Sequence, residues 1–144
     1  MSVARICFRY GDRRLFSRLV TFFRGGDSAH CEVSWVWRGD QHYCASSSWV
    51  DGGVRSKVIE MAADKWRVYE VELSEDPLDW LDLYAGQGYD FLGLLGILWP
   101  RAGDSRTRWF CSEAAGYMLG LPEPQLFDLR TLESVCMKIG KRIQ

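Results

Sequence analysis

The chain has 144 residues, 47% of them apolar and 26% charged, with a formal net charge of −1. That length and balance suit one globular domain with a real core and exclude disorder and collagen-like repeats. Near-neutral charge argues against a protein that holds nucleic acid by bulk electrostatics, so no nucleic-acid partner is expected.

The N-terminal residues Met1–Tyr10 carry scattered charge and no apolar stretch of signal-peptide length. The longest apolar run, Phe91–Pro100, is too short to span a bilayer. Residence in the cytoplasm is therefore expected. The five cysteines are scattered, odd in number and form no CxxC pair, which argues against a disulfide framework and for reduced thiols. Seven tryptophans point to large packing anchors, a ligand-facing cleft, or both.

In chain order, Val3–Arg9 reads as a strand with Ile6 and Phe8 on one face. Arg13–Phe23 places Leu15, Phe16, Leu19, Val20 and Phe23 at helical spacing, ending at Gly25-Gly26-Asp27. His30–Trp37 alternates, with Cys31, Val33, Trp35 and Trp37 on one face and His30, Glu32 and Ser34 on the other, as in a half-buried strand. Arg38-Gly39-Asp40-Gln41 predicts a hairpin turn, with His42–Ser47 as the returning strand. Asp51-Gly52-Gly53 turns into Val54–Glu60. Trp66–Leu73 is a further strand, with Tyr69, Val71 and Leu73 on one face and Trp66 and Val68 beginning the other.

The second half reads as helical. Pro77–Ala85 has Asp76 as N-cap and proline at its first position. Asp90–Trp99 reads as an apolar helix and Arg101–Arg108 as a polar loop. Trp109–Leu119 is a helix rich in small residues, and Thr131–Ile139 a last short one. One strand, a helix, a meander of about four strands and then helices give an α+β layout, with an antiparallel sheet packed against helices over a single domain, 1–144.

Cys111 is the leading candidate for chemistry, because the first turn of a helix offers unpaired N–H groups and a positive dipole end that favour a thiolate. Cys7, Cys31 and Cys136 sit in apolar-patterned positions and read as packing residues. A cysteine nucleophile needs a base, and the chain has only His30 and His42. His30 looks away from the aromatic face of its strand, whereas His42, beside a turn, reads as a solvent-exposed polar residue. His30 is therefore the expected base.

A two-residue turn at Gly39-Asp40 would set Ser47 on the His30 side of the sheet, where it would orient the imidazole. A one-residue bulge would present Ser46 or Cys44 instead. Glu32, two residues along from His30, shares that face. Zinc is disfavoured, because His30 and Cys31 are strand neighbours that point apart and cannot easily join His42 and Cys44 around one ion. Gly86-Gln87-Gly88 lacks the remainder of a dinucleotide motif. No cofactor and no metal are expected.

Four segments together resemble a known superfamily. Ser28-Ala29-His30-Cys31-Glu32-Val33 resembles the histidine strand of circularly permuted NlpC-type papain-like cysteine hydrolases of the YiiX-like branch. Ala45-Ser46-Ser47-Ser48 with Asp51-Gly52-Gly53-Val54-Arg55 resembles the next strand and turn. Gly88-Tyr89-Asp90 and Trp109-Phe110-Cys111-Ser112-Glu113 resemble the tyrosine and nucleophile segments. Here the histidine precedes the cysteine, as in the permuted branch, and the combination looks most like small proteins encoded by tailed bacteriophages and prophages.

The resemblance implies a permuted papain-like fold, Cys111 as nucleophile, His30 as base and Tyr89 beside the reacting carbonyl. Many relatives carry His, Asn, Gln or Glu as third catalytic residue on the strand after the histidine. This chain has only Cys44, Ala45 and serines there, with Ser47 as the available hydrogen-bonding group. The implied reaction is hydrolysis of an amide, in cell-wall peptide by analogy. The alternatives are a lipid esterase or acyltransferase, and a non-catalytic binding or virion-assembly module. A phage-encoded copy would act in the host cytoplasm or travel with the virion. Trp35 and Trp37 are expected in the core, and Trp109 is expected to border the site.

Overall fold

A computed structural model of the chain describes residues 2–11, 18, 27–89 and 108–144. The helices expected over Arg13–Phe23 and Asp90–Trp99, and the loop following the second, lie essentially outside the described residues.

The molecule is α+β. Strands β1 (Ser2–Tyr10), β2 (Ser28–Arg38), β3 (Gln41–Ser48), β4 (Gly53–Glu60) and β5 (Trp66–Leu73) are followed by helix α1 (Pro77–Tyr84). A short pair, β6 (Gly88–Tyr89) and β7 (Arg108–Trp109), precedes α2 (Cys111–Met118). A 3₁₀ turn at Pro124–Leu126, α3 (Leu129–Ile139) and β8 (Lys141–Arg142) follow.

Six strands form one antiparallel sheet in the order β4-β3-β2-β1-β5-β8, while β6 and β7 pair in parallel. Only β2, β3 and β4 form the meander, three strands rather than the expected four or so, because β5 pairs with β1, which sits between it and β2. Among the described residues no helix is long and apolar enough to cross a membrane.

The period-two pattern divides the sheet residues between two faces. Ile6, Phe8, Cys31, Val33, Ala45, Tyr69, Val71 and Leu73 face the helices and form the main core with Trp80, Ala114, Met118, Leu132 and Cys136. Cys7, Cys44, Met61, Trp66 and Val68 form a smaller cluster on the opposite face.

Each helix start has a local cause. Asp76 accepts from Leu78 N–H at 2.8 Å ahead of Pro77. Asp128 accepts from Thr131 N–H at 2.7 Å, so α3 begins two residues earlier than its apolar pattern suggests. Trp109 is drawn into β7 rather than α2, which leaves Cys111 as the first residue of its helix.

The hairpin turn is the two-residue Gly39-Asp40, with Gly39 at φ 62° and Arg38 opposite Gln41. The ladder then shifts register between Ser34 and Val36, which reverses the parity of everything beyond it. Two expectations change as a result. Trp37 is half-buried on the face opposite the main core, stacked on His42 and lying under the Arg5 guanidinium. Ser47, expected on the His30 side, faces the helices, where its hydroxyl donates to the Trp109 carbonyl at 2.6 Å.

Candidate active site

Cys111 and His30 come together although they stand 81 positions apart in sequence. His30 lies near the start of β2, beside a second register shift between Arg9 and Tyr10 of β1. Cys111 opens α2, which packs on β2 and β3, and its thiol is 5% exposed. The Cys111 sulfur lies near enough to the His30 ring and to the Cys31 side chain for each to shift its ionisation.

The third member is Glu32. Its Oε1 lies 2.7 Å from His30 Nε2, and its carboxylate is fully buried. An ionised carboxylate can only accept, so Nε2 carries the proton and Nδ1 is the nitrogen left for Cys111. This places Glu32 where the sequence reading set Ser47. Glu32 needs no hairpin register, because two residues on one strand share a face whatever the turn does.

Charge follows the same chain of contacts. The Cys31 thiol hydrogen-bonds the Cys111 sulfur, and with His30 beside it this outweighs burial and holds the Cys111 thiol well below its ordinary value. Burial opposes charging of His30, but Glu32 and the Cys111 sulfur prevail and raise the imidazole to about 10. Burial likewise opposes ionisation of Glu32, yet Arg55 and His30 keep its carboxyl below the usual range. These directions favour a thiolate–imidazolium pair with an ionised carboxylate behind it.

Cys31, expected to be a packing residue, is also a hydrogen-bond partner of the nucleophile. Burial and then Cys111 push its own thiol well up, so it remains an S–H donor.

Tyr89 meets Phe110, the residue before Cys111, edge-on at 5.5 Å, and Trp49 at 6.0 Å. A cavity of about 350 Å³ opens beside it, with His30, Glu32, Arg55, Trp49 and Trp66 in its wall; Cys111 is not in that wall.

His42 is not the exposed residue expected beside a turn. It is 3% exposed, Nδ1 lies 3.0 Å from Ser34 Oγ, and burial with nearby Arg5 lowers its pKa. Trp109 does not border the site either. It is 8% exposed and packed among Trp80, Tyr84 and Tyr117, with Nε1 donating to Gln87 at 2.9 Å.

All five cysteines are free thiols, and among the described residues no group of three or more His, Cys, Asp or Glu side chains is arranged to hold a metal ion. Comparison of the chain with protein-family models, curated proteins and solved structures finds no match.

Proposed function

We propose that the protein is a cysteine hydrolase built on a circularly permuted NlpC-type papain-like fold, cleaving an amide bond through a thioester. The observation that carries this reading is the contact chain Cys111–His30–Glu32, with the thiol lowered and the imidazole raised.

The Cys111 thiolate attacks the carbonyl carbon, and the negative charge moves to the carbonyl oxygen. The first N–H groups of α2, which have no partner within the helix, face that charge. The His30 imidazolium gives its Nδ1 proton to the departing amine nitrogen as the C–N bond breaks, leaving a thioester. Neutral His30 then takes a proton from water as the water oxygen attacks the thioester. The acid departs and the thiolate is regenerated. Glu32 holds the ring orientation throughout. Peptide of the bacterial cell wall is the leading substrate, from the resemblance of the histidine, tyrosine and cysteine segments; residence in the cytoplasm of a phage-infected host follows from the same resemblance.

A second reading, a binding or virion-assembly module on this fold, draws on the placement of the cavity, whose wall contains His30 but not the nearly enclosed Cys111. Iodoacetamide labelling followed by mapping of the Cys111 peptide separates the two. The hydrolase reading expects Cys111 to react at pH 6 far faster than an ordinary thiol, and His30→Ala to slow that reaction by about tenfold or more. An unchanged rate in His30→Ala would leave only the binding module.

A further inference from the structure

The segment Asp51-Gly52-Gly53-Val54-Arg55 takes no part in the chemistry above, yet both its charged ends reach toward the site. Arg55 Nη1 lies 2.8 Å from Glu32 Oε2 and Nη2 lies 2.5 Å from Oε1, so the guanidinium grips both carboxylate oxygens. Its Nε donates to Asp51 Oδ2 at 2.8 Å, and the other Asp51 oxygen meets Lys57 Nζ at 3.2 Å. The result is a line of contacts, Lys57–Asp51–Arg55–Glu32–His30, that ends at the nucleophile.

We infer that Arg55, braced by Asp51, is a positioning residue that keeps Glu32 ionised and aimed at His30. The inference rests on the nucleophile–base reading above. A fully buried carboxylate without a cation takes up a proton, and a protonated Glu32 no longer holds the imidazolium. The planar fork satisfies both oxygens and still leaves Oε1 a lone pair for Nε2. Arg9 of β1 shares the cavity wall with Glu32; besides His30 and Arg55, the other described titratable groups that adjoin Glu32 include Cys7 of β1, Cys31 of β2 and Cys44 of β3. All three are neutral thiols held well above their ordinary range by burial. Arg55 is the permanent cation hydrogen-bonded to this carboxylate, and His30 the switchable one.

A buried ion pair of purely structural importance would affect stability alone. The distinguishing readout is the pH profile of Cys111 alkylation, followed by mass spectrometry of its peptide in protein shown to be folded by circular dichroism. Arg55→Met is expected to lower the pH 6 rate at least about tenfold, while leaving the rate unchanged at alkaline pH, where the thiol is ionised in either case. Arg55→Lys is expected to recover part of the loss, since an ammonium supplies charge without the fork. Should Arg55→Met fail to fold, Asp51→Asn, which leaves the Glu32 fork in place, is expected to shift the profile the same way by less. A folded Arg55→Met, or failing that Asp51→Asn, with the wild-type profile overturns the brace. A wild-type protein whose own Cys111 shows no reactivity at pH 6 overturns the nucleophile–base reading beneath it, so the two failures are told apart.

Discussion

Cys111 and His30 exchange one proton's worth of charge, and that exchange fixes how stability depends on pH. Unfolded, the pair holds two protons below about pH 6.5, one between 6.5 and 9.0, and none above. Folded, the cysteine proton leaves well below 9.0, and the histidine proton stays until about 10. The raised His30 contributes stability that is complete below 6.5 and gone above about 10. The lowered Cys111 contributes stability that is complete above 9.0 and disappears as pH falls through its folded value. Their sum is flat below 9.0, down to 6.5 or to the folded Cys111 value, whichever is higher, where both states hold one proton. It declines on either side by about 1.4 kcal/mol per pH unit. Urea unfolding across pH, taken as the difference from a His30→Gln/Cys111→Ala double variant, is expected to show that plateau. A difference curve that slopes steadily through neutral pH would contradict the ion pair.

Legibility at this scale depended on scarcity. With two imidazoles in the chain, one pointing away from its strand's apolar face, the sequence singles out His30 as the expected partner of Cys111. Ser47 could not be placed, because its face depends on one extra residue in the ladder between Ser34 and Val36, which no local pattern marks. Arg55 was visible in the Gly-Gly turn segment but not its target, since a contact between strands two apart in the sheet, β2 and β4, has no sequence signature. Trp109 misled for a related reason. Closeness to Cys111 along the chain says nothing about direction, and its indole turns into an aromatic cluster instead.

Among the elements, the start of β4 determines where Tyr89 can lie. Gly53 has φ 136°, and a Cβ there would overlap the Gln87 carbonyl oxygen and lie 2.8 Å from Gly88 Cα. Val54 exchanges backbone hydrogen bonds with Gln87 and Gly86 at 2.8 and 3.1 Å, stitching the chain before β6 to this edge. Gly53→Ala is expected to cost about 1–3 kcal/mol from the backbone conformation alone. It is also expected to push residues 86–89 outward, separating Tyr89 from Phe110. Thermal unfolding with alkylation of Cys111 checks both effects; a variant as stable as wild type would show that this edge can yield without strain.

α2 works under a similar local constraint. Phe110, its N-cap, has no side-chain acceptor, so the Glu113 carboxylate takes the Phe110 N–H at 3.3 Å. The helix then relies on small buried residues, Ala114 and Ala115 in the main core and Gly116 against Pro124, as it packs on β2 and β3. The small residues mark the helix in the sequence, but its first residue is not marked there, because the β6–β7 pairing that claims Trp109 joins segments 20 positions apart.

Across the molecule, the sheet presents one face to the helices and the other to a small sulfur- and tryptophan-containing cluster. β2 contributes to both at once: Cys31 looks into the main core, and Glu32 looks away from it toward Cys7, Cys44 and Arg55. Coarse architecture was legible because strand alternation and helix caps are local signals. Strand order was only partly so: the meander follows from short turns, but the insertion of β1 between β2 and β5 is a long-range choice.

That β2 lies in the interior of a six-stranded sheet, flanked by β1 and β3, has a kinetic consequence. Active-site residues carried on loops open through local fluctuations, whereas an interior strand is released only when its neighbours part. Backbone amides of β2 are therefore expected to exchange with deuterium at rates set by global unfolding, with the same denaturant dependence as Leu132 of α3. Fast exchange at Cys31 or Glu32 in native buffer would contradict this. In such an arrangement the His30–Glu32 pairing on β2 does not fray by degrees: it persists for as long as the sheet does, and is lost with it in one event.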